Sequence, residues 1–174
     1  MISNSIKNFF YTLILLFLFL SPVIGDDEET DLSEHALNFY IGMFDFSDHN
    51  ARAATYGFEH QNENLFRETY FGTISPVSGG FITKDMAGYV YTGVQGDYKL
   101  GKFDFNPSFT PGLYSEGDGK DLHHIIEFKT ELQLSMQLKN DGQFGFSYNH
   151  ISNAGLGKNN PGANSYMFNF IKKF

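Results

Sequence analysis

The sequence predicts an all-β chain: an eight-stranded, antiparallel, up-and-down transmembrane β-barrel of the outer membrane. Three observations predict it. The chain opens with an export leader, apolar and polar residues then alternate with a period of two, and the connections between the alternating runs are short and long by turns.

The leader has to be set aside before the fold is read. Lys7, the apolar run from Phe9 to Leu20 and the small-residue ending Ser21-Pro22-Val23-Ile24-Gly25 form a secretory signal over residues 1–25, with cleavage expected after Gly25. Its apolar run is about a dozen residues long, short of the roughly 20 that a spanning helix needs. No second long apolar run follows, so the exported chain is expected to lack a transmembrane helix. Residues 26–34, opening with Asp26-Asp27-Glu28-Glu29, read as an acidic flexible leader, and residues 35–174 as the barrel.

Composition narrows the function. Without Lys7 the chain keeps 11 basic residues against 20 acidic ones, a net charge near −9, which argues against nucleic acid as a partner because phosphate binding needs a basic patch. Cysteine is absent, so neither a disulfide, a thiolate nucleophile nor a thiolate metal site is available. Phe 20 and Tyr 10 with no Trp is an aromatic load that an ordinary soluble core does not require.

The strands follow in order. Leu37/Phe39/Ile41/Met43 and Ala54/Tyr56/Phe58 supply the first two, a segment from Leu65 to Ile74 the third, Val90/Val94/Tyr98 and Phe103/Phe105/Phe109 the fourth and fifth. The sixth, Ile126 to Leu138, alternates most cleanly, with Ile126, Phe128, Leu132, Leu134, Met136 and Leu138 on one parity and Glu127, Lys129, Glu131, Gln133, Ser135 and Gln137 on the other. Phe144/Phe146/Tyr148 and Tyr166/Phe168/Phe170 complete the eight. Residues 61–64, 100–102 and 139–142 read as tight turns, whereas 75–85, 114–122 and 154–163 read as longer, Gly-rich loops.

Parity alone does not say which face is inside, but charge does. Glu127, Lys129 and Glu131, with Gln95, Asp97 and Lys99, suit a small polar lumen, while Phe128, Leu132 and Val94 suit lipid. A soluble barrel of the lipocalin kind would reverse that polarity. With both termini in the periplasm, the short turns are periplasmic and the longer loops extracellular.

One stretch carries chemistry: His150-Ile151-Ser152 at the outward end of the seventh strand, running into Asn153-Ala154-Gly155-Leu156-Gly157-Lys158-Asn159-Asn160-Pro161-Gly162. Continuing the parity of Phe144, Phe146 and Tyr148 places His150 and Ser152 on the lipid side, and that of Phe170, Phe168 and Tyr166 places Asn164 there too. Residues i and i+2 of a strand lie about 7 Å apart at the backbone, close enough for a hydroxyl and an imidazole to meet. Polar groups on a lipid face are costly and mark function. The competing reading is a polar strand end at headgroup level followed by a turn. Gly117-Asp118-Gly119-Lys120-Asp121 suits a solvated loop better than a cation or phosphate site, since it lacks the full calcium-loop spacing. His123 and His124, being adjacent, point to opposite faces and make a poor metal pair.

The stretch from His150 to Gly157 followed by Asn160-Pro161-Gly162, with Gly112-Leu113-Tyr114 and Gly117-Asp118-Gly119-Lys120-Asp121-Leu122 leading to Ile126-Glu127-Phe128, resembles the outer-membrane lipid A 3-O-deacylases of the PagL type, also called acyloxyacyl hydrolase-like proteins. The likeness extends more loosely from Pro76 onward, while residues 26–75 match only in general character. It implies a serine-type esterase on the outer barrel wall that hydrolyses the 3-O-linked acyl chain of lipid A, or lipopolysaccharide, in the outer leaflet with no metal or cofactor. Carried over, Ser152 is the nucleophile and His150 its general base, the Gly155 N–H and the Asn160 side chain form the oxyanion hole, and Asn153 supports them. The family's triad acid is a glutamate that by spacing falls at position 164, where Asn164 stands. An amide can orient an imidazole but cannot stabilise the imidazolium by charge.

The reading is therefore a lipid A deacylase, with a catalytically silent structural or lipid-binding barrel of the same family as the alternative and a homodimer left open. A porin is disfavoured, because eight strands leave a side-chain-filled interior.

Overall fold

The computed structural model describes residues 35–62, 67–69, 72–138 and 142–174. The signal and acidic leader expected over residues 1–34 lie outside the described residues. Strand segments run β1 (His35–Phe44), β2 (Ala53–Asn62), β3 (Arg67–Thr69), β4 (Gly72–Thr83), β5 (Gly88–Leu100), β6 (Phe103–Ser115), β7 (Ile126–Gln137), β8 (Gly142–Ser152) and β9 (Ala163–Lys173).

Consecutive strands pair antiparallel, except β2 and β3, and the first pairs with the last through Phe39 opposite Phe170. The pairing of β2 with β4 closes the ring. β3 pairs with the lower part of β4, Arg67 opposite Ile74, on the side that β2 occupies higher up, so β2 and β3 fill one wall position and the barrel has eight strands. Closure satisfies backbone donors and acceptors all round the wall, which a bilayer requires.

The faces are segregated as the charges imply. Along β7, Glu127, Lys129, Glu131, Gln133 and Ser135 are buried in the lumen, whereas Leu132, Leu134 and Met136 lie exposed on the outer wall. Inside, Lys129 Nζ lies 3.5 Å from Glu131 Oε2 and 3.7 Å from Glu59 Oε2, over the ring of Tyr91. Tyr91 donates to Glu59 Oε2 at 2.8 Å, and Asn149 Nδ2 to Glu131 at 3.1 Å. The lumen combines this polar network with a cluster of buried apolar and aromatic side chains that includes Phe44, Phe81, Tyr89, Tyr114 and Met167, and the outer wall carries Phe39, Phe58, Phe146, Phe168 and Phe170.

Three expectations are corrected. Residues 75–85, read as a loop, belong mostly to β4, and the connection shrinks to Lys84–Ala87. Pro76, Gly79 and Gly80 mislead because they are loop formers elsewhere. Here Gly79 is required for packing: a Cβ on it would come within 2.8 Å of the Tyr91 hydroxyl and 2.5 Å of the Phe58 carbonyl oxygen. Correspondingly, the strand expected over 65–74 is seen only as Arg67–Thr69 and the start of β4, with residues 63–66 and 70–71 outside the described residues. The loop expected over 114–122 begins later, at Glu116, and extends to Ile125.

The ends of β1 and β9 meet at one rim, where the Phe174 N–H donates to the His35 carbonyl at 2.9 Å. The opposite rim carries the connections 45–52, 84–87, 116–125 and 153–162. The first of these was not singled out in the sequence, and it proves to lie beside the candidate site.

Candidate active site

The site is built where β8 and β9 reach the loop rim. Their register sets Tyr148 opposite Tyr166 and His150 opposite Asn164. Because side chains alternate across a strand, Asn149 and Ser165 are buried in the lumen while Tyr148, His150, Tyr166 and Asn164 face outward. His150 and Asn164 touch: His150 Nδ1 lies 2.8 Å from Asn164 Oδ1. An amide oxygen can only accept, so Nδ1 is the donor in this contact, and a neutral ring so bonded has its lone pair on Nε2. The Tyr148 hydroxyl donates to the same Oδ1, also at 2.8 Å.

Ser152 lies on the same face as His150, opposite Phe128 of β7 and half-buried. Its hydroxyl makes no hydrogen bond among the described residues. The structure thus joins the expected base to its orienting amide and sets the expected nucleophile two residues along the same face, without a Ser152–His150 bond. A catalytic hydrogen bond is often long or absent before substrate binds. Gly162 closes the space beside the imidazole: a Cβ there would lie 2.9 Å from His150 Cε1 and 3.3 Å from Nε2.

The loop beyond Ser152 is organised by Asn153, which is fully buried. Its Nδ2 donates to the carbonyls of Leu122 (2.9 Å) and Asn159 (2.8 Å), its N–H to Asn160 Oδ1 (3.0 Å), and its Oδ1 accepts from the Gly155 N–H (2.9 Å). Two consequences follow for the expected oxyanion donors. Asn160 has its oxygen engaged, which leaves its NH2 group as the part of the amide that can donate. Gly155 has its N–H turned onto Asn153 and would have to share that hydrogen to serve an oxyanion, as three-centre bonds do.

Several contributing residues are not apparent from the motif. Asp45, the first residue after β1, is buried, and its Oδ1 accepts from the Ser47 hydroxyl at 2.9 Å and the Asn164 N–H at 3.3 Å. Ser47 Oγ in turn stands 3.2 Å from Asn164 Nδ2. The other oxygen of Asp45 is paired with Lys120. The segment Gly117–Asp121, considered above as a solvated loop or ion site, therefore supplies the cation that neutralises a buried aspartate. Asp121 accepts the His123 N–H at 2.6 Å, which holds its carboxyl below the usual range, and His124 Nδ1 accepts from the Ile126 N–H at 3.0 Å. Asp45 and Ser47 lie more than a hundred residues before Asn164. The one available signal was an aspartate two residues ahead of a serine immediately after an aromatic strand.

Comparison with known proteins agrees with this architecture. No curated protein matches the chain. Among solved structures, the crystal structure of the outer membrane enzyme PagL superposes with a TM-score of 0.63 at 15% identity, covering 80% of this chain and 99% of that one. A de novo designed transmembrane β-barrel superposes with a TM-score of 0.54 at 10% identity, covering 84% of this chain and 100% of that one. At such identities these likenesses establish the fold, a transmembrane barrel of the outer-membrane kind. The family model described as lipid A 3-O-deacylase (PagL) matches residues 35–172, the whole of the described barrel but its last two residues. On that match the chain belongs to the lipid A 3-O-deacylase (PagL) family.

Proposed function

We propose that this protein is a serine-type lipid A 3-O-deacylase, working from the outer wall of the barrel on lipid in the outer leaflet. The observation that carries the reading is the 2.8 Å contact between His150 Nδ1 and Asn164 Oδ1, on the lipid-facing wall, with Ser152 two residues along the same face. A base oriented through Nδ1 presents Nε2 for proton transfer.

Lipid A reaches the wall by lateral diffusion. His150 Nε2 takes the hydroxyl proton as Ser152 Oγ attacks the carbonyl carbon of the 3-O-acyl ester. The oxyanion is held by the Asn160 NH2 and by a shared Gly155 N–H. Collapse breaks the bond to the sugar oxygen, which leaves with the proton from His150. Water, deprotonated by the same imidazole, then cleaves the acyl-enzyme to fatty acid and free Ser152. No step calls on a metal or cofactor.

Mass spectrometry of lipid A from cells making each variant tests this. The parent should remove one 3-O-acyl chain; Ser152→Ala and His150→Gln should not, while both still fold. Unchanged acyl loss in Ser152→Ala would sink the assignment.

A second reading, a catalytically silent barrel that binds lipid or serves a structural role, is favoured by one observation: position 164 holds an amide and no carboxylate. Asn164→Glu separates the two. A rise from no activity supports the silent barrel, and comparable activity in both forms supports a working enzyme.

A further inference from the structure

An amide in place of a triad carboxylate raises a question of orientation. A carboxylate presents an acceptor oxygen whichever way it turns, whereas an amide presents an oxygen on one side and two N–H donors on the other. Were the NH2 group of Asn164 to face the ring, His150 would have to accept at Nδ1. Its proton would then sit on Nε2, and the nitrogen needed as base would be blocked. In a Ser-His-Asp protease the same exchange costs ~10⁴ in kcat.

The hydrogen bonds behind Asn164 decide the matter. Asp45, as a carboxylate, can only accept, and it is held in place by Lys120. The Ser47 hydroxyl therefore gives its single hydrogen to Asp45 Oδ1, at 2.9 Å. Toward Asn164, at 3.2 Å, Ser47 Oγ has only lone pairs to offer, so the amide must turn its Nδ2 there. Its Oδ1 is left for His150 and Tyr148, each at 2.8 Å. An inverted amide would set Oδ1 against Ser47 Oγ with no hydrogen between them, and would take the acceptor away from the Tyr148 hydroxyl. The backbone of Asn164 is bound into the same arrangement, its N–H donating to Asp45 and its carbonyl accepting from the Phe46 N–H at 2.9 Å.

We propose that Ser47, fixed by Asp45, is a positioning residue for the general base: it orients the Asn164 amide so that His150 keeps its proton on Nδ1 and its lone pair on Nε2. This is how an asparagine can stand at a carboxylate's position without blocking the base. The inference rests on His150 acting as the base, but its first consequence concerns the ring tautomer and is measurable without any substrate.

The test uses the full chain folded in detergent micelles with 15N-labelled histidine, His150 being identified by the signal lost in His150→Gln. The parent should show the Nδ1–H tautomer. Ser47→Ala should shift His150 toward Nε2–H, Ser47→Thr should keep the parent form, and Asn164→Glu combined with Ser47→Ala should restore Nδ1–H, because a carboxylate has no wrong side. A parent with the proton on Nε2, or a Ser47→Ala protein with an unchanged tautomer, would overturn the proposal. Should Ser47→Ala not fold, Ser47→Cys, which keeps the size but offers only a weak acceptor, takes its place, and an unchanged tautomer there overturns the proposal. On lipid A, Ser47→Ala should lower kcat on the order of tenfold, the weight of one hydrogen bond, with KM held. In the Asn164→Glu background the same change should cost less than about threefold. If the parent and Asn164→Glu are both inactive while the tautomer responds as described, the deacylase reading fails and the positioning role stands.

Discussion

Gly162 shows how little room the site leaves at the scale of single residues. Its φ of +61° is a left-handed conformation that costs a side-chain-bearing residue about 1–2 kcal/mol, and a methyl group there would press on the imidazole edge that carries Nε2. Gly162→Ala should therefore keep the barrel but push His150 aside, lowering deacylation by at least about tenfold, since small misplacements of a catalytic group are expensive. Acyl release that matches the parent would mean that the ring does not use that edge. The motif His150-x-Ser152 and its outward direction were legible in the sequence because two-residue alternation fixes direction, and Asn164 followed from the same rule on the next strand. Ser47 and Asp45 were not legible. They enter through the closure of β1 on β9, a contact between the first and last strands that no local pattern announces.

At the scale of the strand, β7 was the clearest element in the sequence because its two faces differ in charge as well as polarity. β4 was hidden because its glycines and proline answer to packing against Tyr91 and to pairing with β5, and local propensity yields to such contacts. β7 also carries the barrel's central charge. Lys129 is the cation between Glu59 and Glu131, and all three are buried. Replacing it with methionine keeps the length of the side chain and leaves two carboxylates facing each other without a counter-ion. Lys129→Met should cost about 3–5 kcal/mol of stability, the range for breaking a buried ion pair from one side. Urea unfolding of the protein in lipid vesicles measures this. An unfolding midpoint equal to the parent's would show that the lumen is wet enough to solvate both carboxylates.

For the whole molecule, the decisive property is that polarity is reversed relative to a water-soluble barrel, and two leucines can expose that reversal directly. Leu132 and Leu100 are equally exposed on the outer wall, at 54% and 55%, so in water the two positions would respond alike to a charge. They differ in height. Leu132 sits midway along β7, opposite Pro107 and Tyr148, whereas Leu100 ends β5 beside the tight turn to Phe103, at the rim where His35 meets Phe174. If the wall is solvated by lipid, Leu132→Arg should cost about 2–4 kcal/mol and Leu100→Arg about 0–1, because the penalty for a cation on a barrel's lipid face falls from midplane to interface. Unfolding titrations of both variants in vesicles supply the comparison. Equal costs would remove the bilayer from the account of the outer wall, and with it the reason for a hydroxyl, an imidazole and an amide to stand together on that wall.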